Sequence, residues 1–445
     1  MIKLAKIPMR VPRLAACFFL AALGTAEARD FFVQDGDRVV FLGDSITQQM
    51  MYPNYIEAYV LCRHPAWKLT FRNIGWGGDT SWLRQREHIN EPLLFASDDD
   101  AQLKMITPPI QHGLDRDLFP LKPTKVTIDF GMNDFGYQAF RPDIFRAYIA
   151  SERLLVKTIR EHGAVPILLT TQPVEEKVAD PDQDVRNVSL EKFAEGLKRV
   201  AESEQVPFAD QFNPYLQALA RSHNFTVGNG IDAVHPGPAG HTIMAWAILK
   251  ALGATPLVST AAIDAAGKTV TATEACAITG LTVERSMVTF DRKDEALPMP
   301  LDPKVEPILD LVPLTHDLNA LLLTVTGLPA GKYDLTIDGE ATATVSADDL
   351  AEGWNLAYKG GPITRQAGEV LNLVAKKNET YFQRWRDVQL YWMPKWAEDP
   401  AAFEQHRTAE LQRLDREMAA LEAKIDEARQ PKVHHFAIKP SATVE

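Results

Sequence analysis

The chain has 445 residues, too many for one ordinary hydrophobic core, so two or three domains are expected. Its composition, 46% hydrophobic and 24% charged, is that of a globular protein, and its net charge of -12 leaves no broad basic surface for phosphates, which excludes a nucleic-acid partner. Its histidines and cysteines form neither CxxC nor HExxH, so no metal and no cofactor is expected.

The first element is a targeting segment. Lys3, Lys6, Arg10 and Arg13 precede the apolar run LAACFFLAALG, and Ala26-Glu-Ala28 has the small-x-small form of a cleavage site. Residues 1–28 therefore read as a signal peptide. The run is too short to span a bilayer comfortably, so no stable membrane insertion is expected after cleavage. The mature chain, periplasmic or secreted, would keep Cys62 and Cys276, in a compartment that permits a disulfide without requiring one.

From Arg38 to Leu252 short apolar runs alternate with helical spacing. VVFL (39–42), KLTFRNIG (68–75), KVTIDFG (125–131), VPILLTT (165–171) and VPFAD (206–210) read as strands, and 143–162, 189–204 and 239–251 as helices. Such alternation predicts an α/β domain over 29–253, with a parallel sheet covered on both faces and functional residues beyond the carboxyl ends of its strands. After Gly253 the texture changes. TVTAT, LLLTVTG, YDLTIDG, ATATVSA and VQLYWM predict a smaller β-rich domain over 256–395, with a proline-containing connection at 300–320. Residues 396–445 read as an amphipathic helix and tail. Leu411, Leu414, Met418, Leu421 and Ile425 form a short seam expected to pack on its own protein, which favours a monomer.

Four segments converge on one chemistry. Gly43-Asp-Ser45 follows the first strand. Asn73-Ile-Gly-Trp-Gly-Gly-Asp-Thr80 is a loop whose glycines leave backbone N–H groups unobstructed. Gly131-Met-Asn-Asp134 sets a side-chain amide at the end of the third strand, and Asp232-Ala-Val-His235 sets a carboxylate and an imidazole three apart on a turn. Taken singly each is ordinary, since Ser45 reads as a helix cap, Asp232 as a turn residue and Gly78 as a flexible loop. Taken together they supply an acyl transfer. Ser45 would be the nucleophile, His235 its general base and Asp232 the orienting anion, with an oxyanion met by the N–H groups of Ser45 and Gly78 and the amide of Asn133. Asp44 and Asp134 read as loop supports.

At these residues the sequence resembles the SGNH hydrolases, also called the GDSL esterase/lipase family. Its four blocks occur in order, mapping the family's nucleophile to Ser45, its further oxyanion donors to Gly78 and Asn133, and its Asp and His to Asp232 and His235. The resemblance covers about residues 35–252 and implies a three-layer αβα, flavodoxin-like fold and metal-free hydrolysis of carboxylic esters. Residues 87–120, rich in acidic residues and prolines, depart from the pattern and are expected to shape the cleft. Other motifs fail: GWGGDT lacks the last glycine of a dinucleotide fingerprint, where Thr80 stands, and His434-His435 has no neighbouring ligands. Trp76, beside the oxyanion loop, is the best candidate for a substrate contact. The expected substrate is an acylated small molecule or polysaccharide, with deacetylation of carbohydrate as the first expectation. The alternatives are longer acyl chains, in a lipase, phospholipase or thioesterase, and a glycan-binding protein built on a hydrolase scaffold.

Overall fold

The computed structural model describes residues 31–175, 183–222, 230, 232–394 and 399–442. The predicted signal peptide lies outside the described residues. The chain enters β1 (Arg38–Gly43), turns through α1 (Ser45–Gln48) and α2 (Met51–Arg63), and returns in β2 (Thr70–Asn73). Next come α3 (Glu91–Ala96), α4 (Asp99–Asp117), β3 (Lys125–Asp129), α5 (Pro142–Glu161), β4 (Val165–Leu169), α6 (Val185–Glu204), β5 (Phe208–Ala209), α7 (Phe212–Arg221) and α8 (Pro238–Ala251). The five strands are parallel in the order β2-β1-β3-β4-β5, the doubly wound arrangement that the strand–helix alternation predicts. Chain order reverses between β1 and β3, and a crevice opens at such a switch point. β1 supplies the Gly43-Asp-Ser45 turn there and β3 supplies Asn133. Gly43 pairs with Asp129, and a Cβ on Gly43 would lie 2.7 Å from the Asp129 carbonyl, so only glycine fits.

The acidic, proline-containing segment 87–120 is mostly helix. Asp98 caps α4 by accepting from the Ala101 N–H at 2.9 Å, and Asp99 and Asp100 occupy its first turn, where the helix dipole favours negative charge. The acidic run Asp98–Asp100 is thus accounted for by capping. Gly113 of α4 lets the helix approach the loop after β2: a Cβ there would lie 2.9 Å from Leu83.

The second half contains β6 (Leu257–Asp264), β7 (Thr269–Glu274), β8 (Cys276–Glu284), β9 (Met287–Asp294), α9 (Leu314–Leu318), β10 (Ala320–Thr326), β11 (Lys332–Ile337), β12 (Glu340–Ser346), α10 (Ala347–Glu352), β13 (Trp354–Asn355), α11 (Pro362–Phe382), α12 (Pro400–Ala428) and β14 (Val433–Pro440). Two sheets form, β13-β10-β6-β7 and β12-β11-β14-β9-β8. Buried Arg292 of β9 ties them together, donating to Ser259 at 2.7 Å and to the Leu322 carbonyl at 3.1 Å. Cys62 and Cys276 are both free thiols.

Two sequence expectations need correction here. The run 388–393 is not a strand: Gln383–Gln389 continues α11 as a π-helix, with Trp385 buried. The boundary at 395/396 does not separate the β-rich region from the tail either. β14 lies between β11 and β9, burying Phe436 and Ile438, so the last strand completes the sheet. α11 also packs on α2, and α12 packs on α11 with Leu414, Met418 and Ile425 buried. The C-terminal helices are thus part of the catalytic half's surface.

Candidate active site

The site forms where β1 and β3 end. Asp44 caps α1, accepting from the Ile46 N–H at 2.9 Å, so Asp44 is the cap and Ser45 the first helical residue. The turn before α8 lies across the crevice from it. There Asp232 accepts from the backbone N–H groups of Val234 at 2.7 Å and His235 at 2.8 Å, which locks the loop and aims the ring. Ser45 Oγ lies 2.8 Å from His235 Nε2, and His235 Nδ1 lies 3.0 Å from Asp232 Oδ2. Burial alone would raise the Asp232 carboxyl, but the hydrogen bonds from the His235 ring and the two backbone N–H groups outweigh it and hold the group below the usual carboxylate range. An anion at Nδ1 leaves Nε2 free to take the serine proton.

The loop after β2 closes the other side. Gly75 could be nothing larger, because a Cβ would meet the Gln48 backbone nitrogen at 2.5 Å. Gly77 donates to Gln48 Oε1 at 2.6 Å and passes close to Ser45. Gly78 has φ +76, a left-handed conformation that favours glycine. Among the described residues neither the Ser45 nor the Gly78 N–H has a hydrogen-bond partner, so both are available to an incoming oxygen. Asn133 is more committed. Its amide donates to the Asp79 carbonyl at 2.9 Å and lies 3.3 Å from Asp44 Oδ2, while its carbonyl end accepts from the Tyr137 hydroxyl at 2.7 Å. Burial, then the Asp44 charge, pushes the Tyr137 phenol up to about 12, which keeps it a donor.

Beneath this layer lies a set of buried carboxyls. Asp134 receives the Ser81 N–H and hydroxyl at 2.9 and 2.6 Å and the Gly131 N–H at 3.0 Å, as expected of a loop support. Burial pushes Asp134 up to about 6 and Asp129 up to about 7, the latter despite its bonds from Gln211 and Tyr52. Burial, then Asp129, also raises Asp44. His241 is buried against Tyr52, and burial followed by the His235 charge brings it down to about 3, so it is a neutral core residue.

Trp76 sits at the rim, half-buried. Its ring packs edge-on against Trp385, with Arg386 only 3.3 Å above its centroid. The sequence offered no signal for this neighbour, because Arg386 arrives from the C-terminal segment. Gln48 was also missed, although its place one helical turn after Ser45 is readable.

Together the crevice at the switch point, the Ser–His–Asp chain and the glycine loop define a serine hydrolase of the SGNH type. The chain matches the GDSL-like Lipase/Acylhydrolase family over residues 41–243. It is an SGNH/GDSL-type serine ester hydrolase. No curated protein matches the chain. Among solved structures, a gut microbial diltiazem-metabolizing enzyme is similar at 26% identity and TM-score 0.72, over 92% of this chain and 98% of that one. An acetyl-xylooligosaccharide esterase from Geobacillus stearothermophilus is similar at 23% identity and TM-score 0.39, over 50% of this chain and 96% of its own.

Proposed function

We propose that the chain hydrolyses esters through Ser45, with His235 as general base, Asp232 as its orienting anion, and the Ser45 N–H, Gly78 N–H and Asn133 amide as oxyanion donors. The observation that carries this reading is the 2.8 Å contact of Ser45 Oγ with His235 Nε2, itself 3.0 Å from Asp232. Oγ attacks the ester carbonyl while Nε2 takes its proton. The tetrahedral oxyanion forms against donors that are already in place, and His235 returns the proton to the departing alcohol. Water then releases the acyl group by the same route.

The substrate we infer is a small acyl ester, such as an acetate, of a carbohydrate. Gln48 lies against Gly77, Gln85 against Gly78, Tyr137 on Asn133 and Trp76 next to Gly77 in the chain, and these side chains offer hydrogen bonds and aromatic faces. A long alkyl chain is held by buried apolar area, at ~0.8 kcal/mol per methylene, and these side chains suit it less well. We further infer export to the periplasm or medium, from the residues of the predicted signal peptide, and action as a monomer. The seam of α12 is spent on the chain's own α11, which supports the monomer. Among the described residues no helix is long and apolar enough to cross a membrane.

The test is release of acetate from acetylated oligosaccharides and of 4-nitrophenol from esters of increasing chain length, for wild type and Ser45→Ala. We expect acetyl esters to be preferred and Ser45→Ala to lose about 10⁵- to 10⁶-fold in kcat. Equal rates for the two proteins would refute the assignment of Ser45, and a lauroyl preference would refute the acetyl reading.

A further inference from the structure

Three arginines surround the single indole of Trp76. The guanidinium carbons of Arg86 and Arg116 each lie 5.4 Å from its centroid, and that of Arg386 lies 3.3 Å from it. Two carboxylates serve this group. Asp79 pairs with Arg86 at 3.0 Å, and Asp117 pairs with Arg86 and, at 2.8 Å, with Arg116. Both carboxylates are buried and already shared out. Arg386 is left over: among the described residues it makes no hydrogen bond and no ion pair, only the stack on Trp76 and a longer contact with Trp385 at 5.5 Å.

A guanidinium carries five N–H donors in a planar fork that matches a carboxylate. Stacking covers its face and leaves the edge donors unspent. Burial first, and then the Arg86 charge, with a smaller effect of Arg116, act against the Arg386 cation, and Asp117 and the adjacent Asp387 offset them only in part. A bound anion would relieve that imbalance. The position is also suitable, because Trp76 is the residue before Gly77, and Gly77 passes beside Ser45.

We propose that Arg386 is a specificity determinant that recognises a carboxylate on the substrate, directing the enzyme to esters of acidic molecules such as acetylated uronic acids. This rests on the esterase reading above and narrows it. The Ser45 centre performs the hydrolysis unchanged, and Arg386 forms a charge-assisted, two-pronged hydrogen bond to a carboxylate elsewhere on the molecule.

The experiment compares wild type, Arg386→Gln and Arg386→Lys on 4-nitrophenyl acetate, an acetylated neutral oligosaccharide, and an acetylated oligosaccharide of equal length carrying a uronic acid. Wild type should favour the acidic oligosaccharide. Arg386→Gln should lower the acidic-to-neutral ratio of kcat/KM roughly 10- to 100-fold, mainly through KM, the size expected for a lost hydrogen bond to a charged group. Arg386→Lys should restore part of the ratio, since it keeps the charge and loses the fork. Added salt should weaken the preference in wild type. A ratio unchanged by Arg386→Gln, or a wild type without acidic preference, would overturn the proposal and leave Arg386 as a strut that holds Trp76. If wild type hydrolysed none of the three esters, the esterase reading would fall and the proposal with it.

Discussion

Lys377 and Glu57, 320 residues apart in sequence, meet in a buried ion pair of 2.6 Å. Asn378 donates to the other Glu57 oxygen at 2.8 Å and to Asn54 at 2.6 Å, so α11 is joined to α2 by a small polar network with its charges matched. Burial lowers the proton affinity of Lys377, and Glu57 works to restore it. Removing one partner leaves the other charge buried alone. Lys377→Met should therefore destabilise the protein by about 3–5 kcal/mol in urea unfolding, and Glu57→Leu in the same chain should recover much of the loss. Additive losses would show that the two residues do not act as a pair.

Asn133 is held by Tyr137, and their variants should differ in size. Asn133→Ala removes a proposed oxyanion donor and should lower kcat about 100- to 1000-fold. Tyr137→Phe keeps the amide but frees its carbonyl end, and should cost about tenfold or less, with KM little changed. A Tyr137→Phe enzyme as impaired as Asn133→Ala would mean that the phenol itself contacts the substrate.

Activity should rise with pH along a single acid limb. Asp232 is held below the usual carboxylate range and stays charged throughout, and the proposed mechanism requires a neutral His235 ring to accept from Ser45. The pH profile of kcat/KM should show one group on the acid side, and His235→Ala should abolish the limb together with the activity. A limb that persists in that variant would assign it elsewhere.

Stability should move in the opposite direction. Asp129 is pushed up to about 7 by burial, whereas an unfolded aspartate titrates near 4. Its contribution to folding is complete below the unfolded value and declines as pH rises through the folded one, at up to ~1.4 kcal/mol per unit of displacement. Glu152, also raised by burial, adds to the trend, and among the described residues both its oxygens lack a hydrogen-bond partner. Tm should fall between about pH 4 and pH 7, and Glu152→Gln should flatten the fall. A Tm that climbs over this range would show the carboxyls to be ionised and stabilised in the fold.

The sheet and the Ser45 crevice were legible because a parallel sheet gathers the ends of its strands at one edge. Runs as short as VVFL and KVTIDFG thereby placed Gly43-Asp-Ser45 and Gly131-x-Asn133 near one another. α11 carried a readable period that went unused: Ile363, Ala367, Val370 and Val374 step by four, three and four, and all are buried. The run 388–393 misled because aromatic and β-branched residues fit a strand locally, while its setting is decided by Trp385 sinking against Trp76. Arg386 had no local signature at all. Its meaning lies wholly in which residues the docking of α11 brings beside it.

The position of β14 governs how the protein can be made. Its pairing joins Ile438 to Leu335 and to Val288, partners about 100 and 150 residues earlier in the chain. A chain emerging from the ribosome therefore presents β9 and β11 with open edges until its final strand has been synthesised. Closing so long a loop is slow, and open strand edges invite pairing with other molecules. Synthesis halted between residues 346 and 433 would leave β9 and β11 with open, aggregation-prone edges.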